Sequence, residues 1–243
     1  MTHDAVAFVP VRLNSKRVAG KSIRRLRGKT LLEICLRKLA TLGIPVFVYC
    51  SDPESVLAAV WDDCGATFLK RPEWLDADCT LGIEIYREFE AAVPANKYML
   101  VHCTSPFTLV KTYGEVLAAL GEHGSSMTGR THRTFCWYEQ HPLNFTTPRI
   151  HTQDLSSVVT ETSAAYAWLA GTLQLWGDRT TPWPKIVDVD LIESLDIDTE
   201  QDWNVALQLE QAQLPAHFGP AWDADWTPNL CDRERPQPID GGP

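Results

Sequence analysis

Short apolar runs alternate with amphipathic stretches along most of the chain, a pattern typical of α/β proteins. The apolar runs favour buried parallel strands because they carry few polar positions, and they cover residues 6–9, 46–50, 66–69, 98–101 and 125–131. The stretches between and after them repeat apolar residues at a helical period, and they cover residues 30–42, 53–60, 80–92, 111–120 and 200–211. The alternation predicts a three-layer α/β fold with a Rossmann-like, mostly parallel sheet.

Length and charge narrow the class of protein. A chain of 243 residues fits one large domain with a small insertion, which we place at residues 1–215, followed by a tail at 216–243 whose last part we expect to be disordered. The net charge of -9 argues against nucleic-acid binding. The sequence has neither an eighteen-residue apolar run nor a signal peptide, so it predicts a cytoplasmic protein with no membrane partner.

The cysteines carry no pattern of a metal site or a disulfide framework. They number seven, are widely spaced and include no CxxC pair. We interpret them as reduced thiols of the core; they are Cys35, Cys50, Cys64, Cys79, Cys103, Cys136 and Cys231.

A strongly basic segment follows the first apolar run. Eight cations fall within the eighteen residues from Arg12 to Lys29, although the chain as a whole is acidic. Because phosphates bind at the carboxyl ends of strands in open α/β sheets, this segment predicts a site for a polyanion. The alternative is a basic surface loop without a ligand.

The segment does not have the spacing of a Walker A motif. Gly20-Lys21-Ser22 would need a glycine at position 15, where the chain has Ser15. Gly28-Lys29-Thr30 would need one at position 23, where it has Ile23. A P-loop kinase is therefore the less favoured alternative.

Pro-x-Arg-x-x-Ser-Lys-Arg followed by a lysine resembles the N-terminal signature of the cytidylyltransferases that make CMP-activated sugar acids, the CMP-N-acylneuraminate and CMP-3-deoxy-manno-octulosonate synthetases. In that family the loop wraps the triphosphate of CTP. The resemblance implies a sheet of the nucleotide-diphospho-sugar transferase type. It also implies nucleotide contacts from the matching residues, which are Pro10, Arg12, Ser15, Lys16, Arg17 and Lys21. Ser22 stands where the family usually has asparagine, so its nucleotide contact is an expectation of the same kind.

A second match lies after the third apolar run. The family has Arg-Pro, then Leu, then Asp where the chain reaches the nucleoside, and this sequence supplies Arg71, Pro72, Leu75 and Asp78. The resemblance implies nucleoside contacts for Arg71 and Asp78. Alternatively, Asp78 caps the helix predicted at 80–92.

The expected acceptor side departs from the family. Thr104-Ser105-Pro106 matches, but His102-Cys103 replaces the usual Gln-Pro, and Thr162-Ser163 replaces an Asn-Gly before a strand that contains Tyr166. The resemblance implies acceptor contacts from Thr104, Ser105 and Tyr166. His102 is either an acceptor contact or a structural histidine.

Two aspartates near residue 200 predict a metal site. Alternation places Asp196 and Asp198 on one face at the end of a predicted strand, with Leu195 and Ile197 on the other. Neighbouring carboxylates that face phosphates suit Mg²⁺, and the same Asp-x-Asp holds the metal in the family. The alternative is that Asp198 caps the following helix.

The resemblance implies that the protein transfers CMP from CTP to an anionic small-molecule acceptor, with arginine and lysine (Arg12, Lys21) as catalytic residues and pyrophosphate as the leaving group. A 3-deoxy-2-ulosonic sugar acid is the favoured acceptor, and a small phosphonate is the alternative. A non-catalytic nucleotide sensor is a further alternative. Residues 132–150, where the family inserts a dimer-forming arm, predict a homodimer.

Overall fold

The computed structural model describes residues 2–13, 18–146 and 149–212. Predictions for Ser15, Lys16, Arg17, Cys231 and the tail fall outside these ranges. Eleven strands occur in the described residues: β1 (His3–Pro10), β2 (Arg25–Leu26), β3 (Lys29–Thr30), β4 (Val46–Cys50), β5 (Thr67–Lys70), β6 (Ala95–Val101), β7 (Ser125–His132), β8 (Trp137–Tyr138), β9 (His141–Pro142), β10 (Val158–Leu169) and β11 (Lys185–Asp188). The α-helices of the same ranges are α1 (Leu31–Ala40), α2 (Pro53–Ala59), α3 (Gly82–Ala92), α4 (Val110–Ala118), α5 (Leu120–His123), α6 (Thr172–Trp176) and α7 (Glu200–Gln211).

The main sheet has seven strands in the order β11-β7-β10-β6-β1-β4-β5. Strand β1 pairs in parallel with β4 and β6, β4 with β5, and β11 with β7, whereas β10 is antiparallel to both β6 and β7. The predicted mostly parallel α/β sheet is therefore confirmed. Because β10 runs against its neighbours, the middle of β10 lies beside the carboxyl end of β6, where Ala165 faces Val101.

Helices cover both faces of the sheet, and the residues of β1 divide between two cores accordingly. Ala7 and Val9 pack with α1 and α4 on one face. Val6 and Phe8 pack on the other face with the aromatic side chains of α3 and β10, among them Phe89. This period-two division explains why β1 is apolar at nearly every position.

Local signals in the sequence set several helix starts. Thr30 and Glu33 form a capping box at α1, and Asp52 caps α2 with Pro53 at the first helical position, as its Asp-Pro pair predicts. The predicted cap at Asp78 is wrong, because α3 begins after Leu81, where Glu84 accepts a hydrogen bond from the Leu81 amide.

A third core connects the basic segment to the C-terminal end of the described chain. Leu26, Leu31, Ile197 and Trp203 are buried together in it. Asp196 and Asp198, predicted at the end of a strand, lie instead in an irregular connection from Glu193 to Thr199 that leads into α7. The burial of Ile197 in this core still directs the flanking residues to the opposite side.

The cysteines only partly fit the predicted core. Cys35, Cys50 and Cys103 are buried, but Cys64 and Cys136 are half-buried and Cys79 is exposed. Cys79 lies in the connection before α3 rather than in an apolar strand, which is why its burial was wrongly predicted. No helix in the described residues is long and apolar enough to cross a membrane.

Candidate functional site

A cleft of about 500 Å³ lies at the carboxyl ends of the parallel strands. Residues that directly follow β1, β5 and β6 meet there, together with the bulged part of β10 and the connection into α7. The structure brings ten of the residues singled out in the sequence into its lining: Pro10, Arg12, Lys21, Ser22, Arg71, Asp78, His102, Thr104, Asp196 and Asp198.

The cations of the basic segment divide into two groups. Arg12 and Lys21 line the cleft. Arg24 and Arg25 are outside the cleft lining and form ion pairs with acidic residues of this chain. The Arg24 guanidinium is 2.7 Å from Glu200, and that of Arg25 is 3.5 Å from Glu33. The prediction that the whole segment faces a polyanion is therefore too broad, because intramolecular carboxylates take up part of its charge.

The two cations of the cleft are held in defined positions. Lys21 Nζ donates to Asp198 Oδ1 at 2.8 Å, in a pair whose lysine side chain is only 13% exposed. Arg12 donates to the carbonyls of Leu75 and Ala77 at 2.8 and 2.9 Å. The cleft thus presents fixed positive charge at the end of β1, as phosphate binding requires.

Arg71 stabilises one wall of the cleft through its hydrogen bonds. Its side chain is fully buried and donates to the carbonyls of Val11 and Tyr49 and to the Asp76 carboxylate. Because Val11 follows β1 and Tyr49 is in β4, the guanidinium ties two strand ends to the loop that carries Asp76. Asp76 also lies 3.7 Å from Arg12 Nε, and the sequence reasoning missed it.

The two predicted metal ligands are positioned by the connection into α7. The Ile197 amide donates to the Thr104 carbonyl at 2.9 Å, which fixes this connection to the end of β6. Glu193 Oε1 accepts from the Leu109 amide and from the Thr112 hydroxyl at 2.8 and 2.7 Å. The side chains of Asp196 and Asp198 therefore face the cleft from a connection anchored at two points.

The donor set of this pair is suitable for a divalent cation. Asp196 Oδ1 is buried and has no hydrogen-bond partner among the described residues. A buried, unpartnered carboxylate oxygen is costly unless a cation meets it. No group of three or more possible metal ligands occurs in the described part of the chain, so the protein offers a pair of carboxylates, an arrangement that suits Mg²⁺ when substrate oxygens complete the shell.

His102 follows β6 and faces the bulge of β10. Its Nδ1 lies 2.6 Å from the carbonyl oxygen of Ser163, a residue with the left-handed φ of 58°. Burial lowers the pKa of His102; the hydrogen bond to Ser163 and the charge of Asp196 oppose that shift, whereas Arg179 and Lys21 add to it. The imidazole is therefore neutral at neutral pH.

The other predicted acceptor contacts lie outside the cleft lining. Tyr166 is buried, donates its hydroxyl to Glu161 and stacks under the Arg179 guanidinium at 3.9 Å. Burial and the bond to Glu161 raise the pKa of Tyr166 to about 12. Ser105 is also buried, and its hydroxyl has no hydrogen-bond partner within the described ranges. Their contacts with an acceptor therefore stay predictions.

Four further residues of the lining were not predicted. Thr80, Ile85, Cys103 and Ser163 complete the cleft. Burial raises the pKa of Cys103, so this residue presents a neutral thiol rather than a nucleophilic thiolate. Ser163 could have been found from the sequence, because it occupies the position of the family's glycine.

Comparison with known proteins identifies the fold and the family. The chain matches a family model described as cytidylyltransferase over residues 6–175, and no curated protein matches it in a sequence search. CMP:2-keto-3-deoxy-manno-octonic acid synthetase complexed with CTP has TM-score 0.62 and 17% identity over 86% of this chain and 99% of that chain. 4-Diphosphocytidyl-2C-methyl-D-erythritol synthase from Anaerococcus prevotii has TM-score 0.61 and 12% identity over 86% and 97%. 2-C-methyl-D-erythritol 4-phosphate cytidylyltransferase from Thermus thermophilus has TM-score 0.50 and 14% identity over 87% and 100%.

The family model covers well over half of the chain and includes the elements that carry Arg12, Lys21, Arg71 and His102. The resemblance found in the sequence motifs is thereby confirmed at the level of the family. This chain belongs to the cytidylyltransferase family and is a CTP-dependent cytidylyltransferase.

Proposed function

We propose that the protein transfers CMP from CTP to a 3-deoxy-2-ulosonic sugar acid and releases pyrophosphate. The observation that carries this proposal is the convergence of three kinds of group in one cleft: the cations Arg12 and Lys21, the carboxylates Asp196 and Asp198, and the polar residues that follow β6. The motif resemblance to sugar-acid synthetases supports the acceptor, as does the likeness to CMP:2-keto-3-deoxy-manno-octonic acid synthetase.

The cations would bind and orient the triphosphate. Lys21 is held by Asp198, and Arg12 by two carbonyls, so neither side chain needs much reordering when the nucleotide enters. Such preorganised positive charge stabilises the negative charge that develops on the phosphate oxygens. Asp78, which also lines the cleft, would contact the nucleoside.

Asp196 and Asp198 would hold Mg²⁺. The buried Oδ1 of Asp196 supports this assignment, because it has no hydrogen-bond partner among the described residues and can bind a cation. When bound, the ion would supply positive charge that offsets the charge of the phosphate oxygens. Arg71, another residue of the lining, connects the ends of β1 and β4.

We also propose a homodimer formed through residues 132–150. Within this segment β8 and β9 form a two-stranded arm, on which Trp137, Tyr138 and Leu143 are exposed. Asn144 stiffens the arm, since its side chain donates to the carbonyls of Thr134 and Ser156 at 2.8 and 2.9 Å. A stiff arm with exposed aromatic side chains is suited to an interface.

Pyrophosphate release with a matrix of nucleotides and acceptors tests the function. CTP, UTP, ATP and GTP are each combined with a 3-deoxy-2-ulosonic acid, a small phosphonate and an alditol phosphate, and ³¹P NMR identifies the product. We expect pyrophosphate from CTP with the sugar acid and a phosphodiester product. If only the phosphonate is turned over, the phosphonate and not the sugar acid is the acceptor. Release of ADP from ATP would indicate a kinase. Nucleotide binding without turnover would indicate a sensor.

A further inference from the structure

Two neighbouring features of the cleft have no place in the assignments above: the hydrogen bond of His102 and the backbone of Ser163. A carbonyl oxygen only accepts hydrogen bonds, so the 2.6 Å separation from His102 Nδ1 requires the proton to be on Nδ1. In the neutral ring Nε2 then carries a lone pair. The structure gives Nε2 no hydrogen-bond partner among the described residues, and His102 lines the cleft.

The position of the Ser163 carbonyl depends on an unusual backbone conformation. Ser163 has φ 58°, in the left-handed region that residues other than glycine adopt rarely. It lies within the irregularity of β10, where the register with β7 shifts between Glu161 and Tyr166. This bulge brings the Ser163 carbonyl against the imidazole, since bulges redirect backbone groups beside functional sites.

We infer that His102 is the general base of the transfer, that its Nε2 takes the proton from a hydroxyl of the acceptor, and that the Ser163 carbonyl fixes the ring for this role. The inference rests on the proposed function and deepens it. A phosphonate acceptor is already anionic and has no proton to give up, so a bare Nε2 favours the hydroxyl acceptor.

The step balances without any other reagent. The acceptor oxygen forms a bond to the α-phosphorus of CTP, and the bond from that phosphorus to the pyrophosphate oxygen breaks. Pyrophosphate leaves with the electron pair of the broken bond, and the acceptor proton moves to His102 Nε2. His102 is thus a catalytic residue, whereas Ser163 is a positioning residue.

The groups around the imidazole permit this role. Burial lowers the pKa of the ring, and so do the charges of Arg179 and Lys21, whereas the bond to Ser163 and, where no ion is bound, the charge of Asp196 oppose that shift. The ring edge of Tyr166 packs at a centroid distance of 6.2 Å, and the neutral thiol of Cys103 follows in the chain. Since the pKa of His102 is lowered, catalysis should fall off only below the ordinary histidine pKa, as the base becomes protonated.

His102→Gln is the decisive variant, because glutamine is the residue of the resembling synthetases and should preserve the fold. With the sugar acid as acceptor, we expect kcat to fall by about a hundredfold or more while the KM for CTP changes little. The acidic limb of the wild-type pH profile should also disappear. His123→Gln, the same change on a histidine at the end of α5, outside the cleft lining, should keep both the rate and the profile.

Ser163 is tested by a matched pair. Ser163→Gly retains the carbonyl in a conformation that glycine adopts easily, so it should lower kcat much less than Ser163→Val does. Ser163→Val disfavours the positive φ and should displace the carbonyl, which lowers kcat and moves the acidic limb to lower pH, because the lost bond had raised the pKa of His102. Unchanged kcat and an unchanged profile in Ser163→Val would overturn the positioning role.

The tautomer has a readout that does not depend on activity. Long-range ¹H–¹⁵N NMR of the wild type at neutral pH should show a protonated Nδ1 and a bare Nε2; the opposite tautomer or a charged ring would overturn the inference. Retention of kcat and of the acidic limb in His102→Gln would overturn it while the proposed function stands. If the wild type turns over no acceptor, the proposed function fails and the inference fails with it.

Discussion

Lys21 is the residue of the basic segment whose replacement tests the phosphate role of that segment. Its Nζ is held 2.8 Å from Asp198 in the cleft, so it is a preorganised cation at the end of β1. Lys21→Ala should lower kcat by about a hundredfold or more, because one preorganised donor to developing charge is worth roughly 3 kcal/mol. Steady-state kinetics with saturating CTP measures this effect.

Arg24→Ala is the matched control for Lys21→Ala. Arg24 belongs to the same basic segment, but it pairs with Glu200 and lies over the Trp203 ring at 4.2 Å, away from the cleft lining. Its removal should leave kcat nearly unchanged and cost under about 1 kcal/mol of unfolding free energy, as for other partly exposed ion pairs. Equal losses in both variants would mean that the segment acts through its overall charge.

The sequence predicted those cleft residues that belong to a recognisable motif. It missed a residue whose role depends on packing between distant parts of the chain. Arg12 and Lys21 could be found because their spacing follows a strand. Asp76 could not, since its role comes from two arginines that follow the ends of β1 and β5 and meet it only in the folded chain. Tyr166 stays a predicted acceptor contact: its side chain lies in the aromatic core, just after the register shift of β10, and outside the cleft lining.

Helix α7 separates the metal and capping interpretations of Asp198. Its N-cap is Thr199, whose hydroxyl accepts from the Asp202 amide at 3.2 Å, while Asp202 accepts from the Thr199 amide at 2.7 Å. Thr199→Ala should therefore lower the unfolding free energy by about 1 kcal/mol. It should leave the metal requirement of turnover unchanged, as measured by urea unfolding and a Mg²⁺ titration.

Asp198→Ala should affect turnover and its metal requirement rather than helix capping. Turnover should be abolished because one of the two proposed ligands is lost, and EDTA should likewise abolish the activity of the wild type until Mg²⁺ or Mn²⁺ is restored. The unfolding free energy without metal should change little because two effects oppose each other: Lys21 loses its 2.8 Å ion pair with Asp198, and Asp196 is relieved of a like charge. Wild-type turnover in EDTA would contradict the metal assignment.

Elements with strong local signals were predicted correctly, and those that depend on distant contacts were not. Helices α1 and α2 carry their own capping residues, Thr30 with Glu33 and Asp52. The connection from Glu193 to Thr199 alternates like a strand but has no strand beside it among the described residues, because it is held by α4 and by the end of β6. Its alternation still predicts which side chains face the cleft, since Ile197 must enter the core.

At the scale of the whole molecule, the third core couples the two halves of the site. Leu26 and Leu31 of the basic region pack with Ile197 and Trp203, so the cation side and the carboxylate side of the cleft share one apolar support. No single segment of sequence contains this arrangement, which joins residues about 170 positions apart. The order of the cleft therefore depends on the folding of the complete domain.

The arm at residues 132–150 allows the proposed dimer to be tested without touching the cleft. Tyr138 is 65% exposed on β8, and a carboxylate there would be buried without a partner if the arm meets a second copy. Tyr138→Glu should therefore convert a wild-type dimer, at twice the chain mass of 27.3 kDa, into a monomer when measured by light scattering over a range of concentrations. Leu175→Glu, which changes a 74% exposed leucine of α6 outside the arm, should remain dimeric.

Turnover in the monomeric variant gives the second half of this test. The described lining of the cleft comes from one chain, with cations after β1 and carboxylates before α7. Tyr138→Glu should therefore keep most of its pyrophosphate release, with a melting temperature that no longer depends on protein concentration. A wild type that is monomeric at every concentration, or a Tyr138→Glu variant that stays dimeric, would contradict the assignment of the arm as the interface.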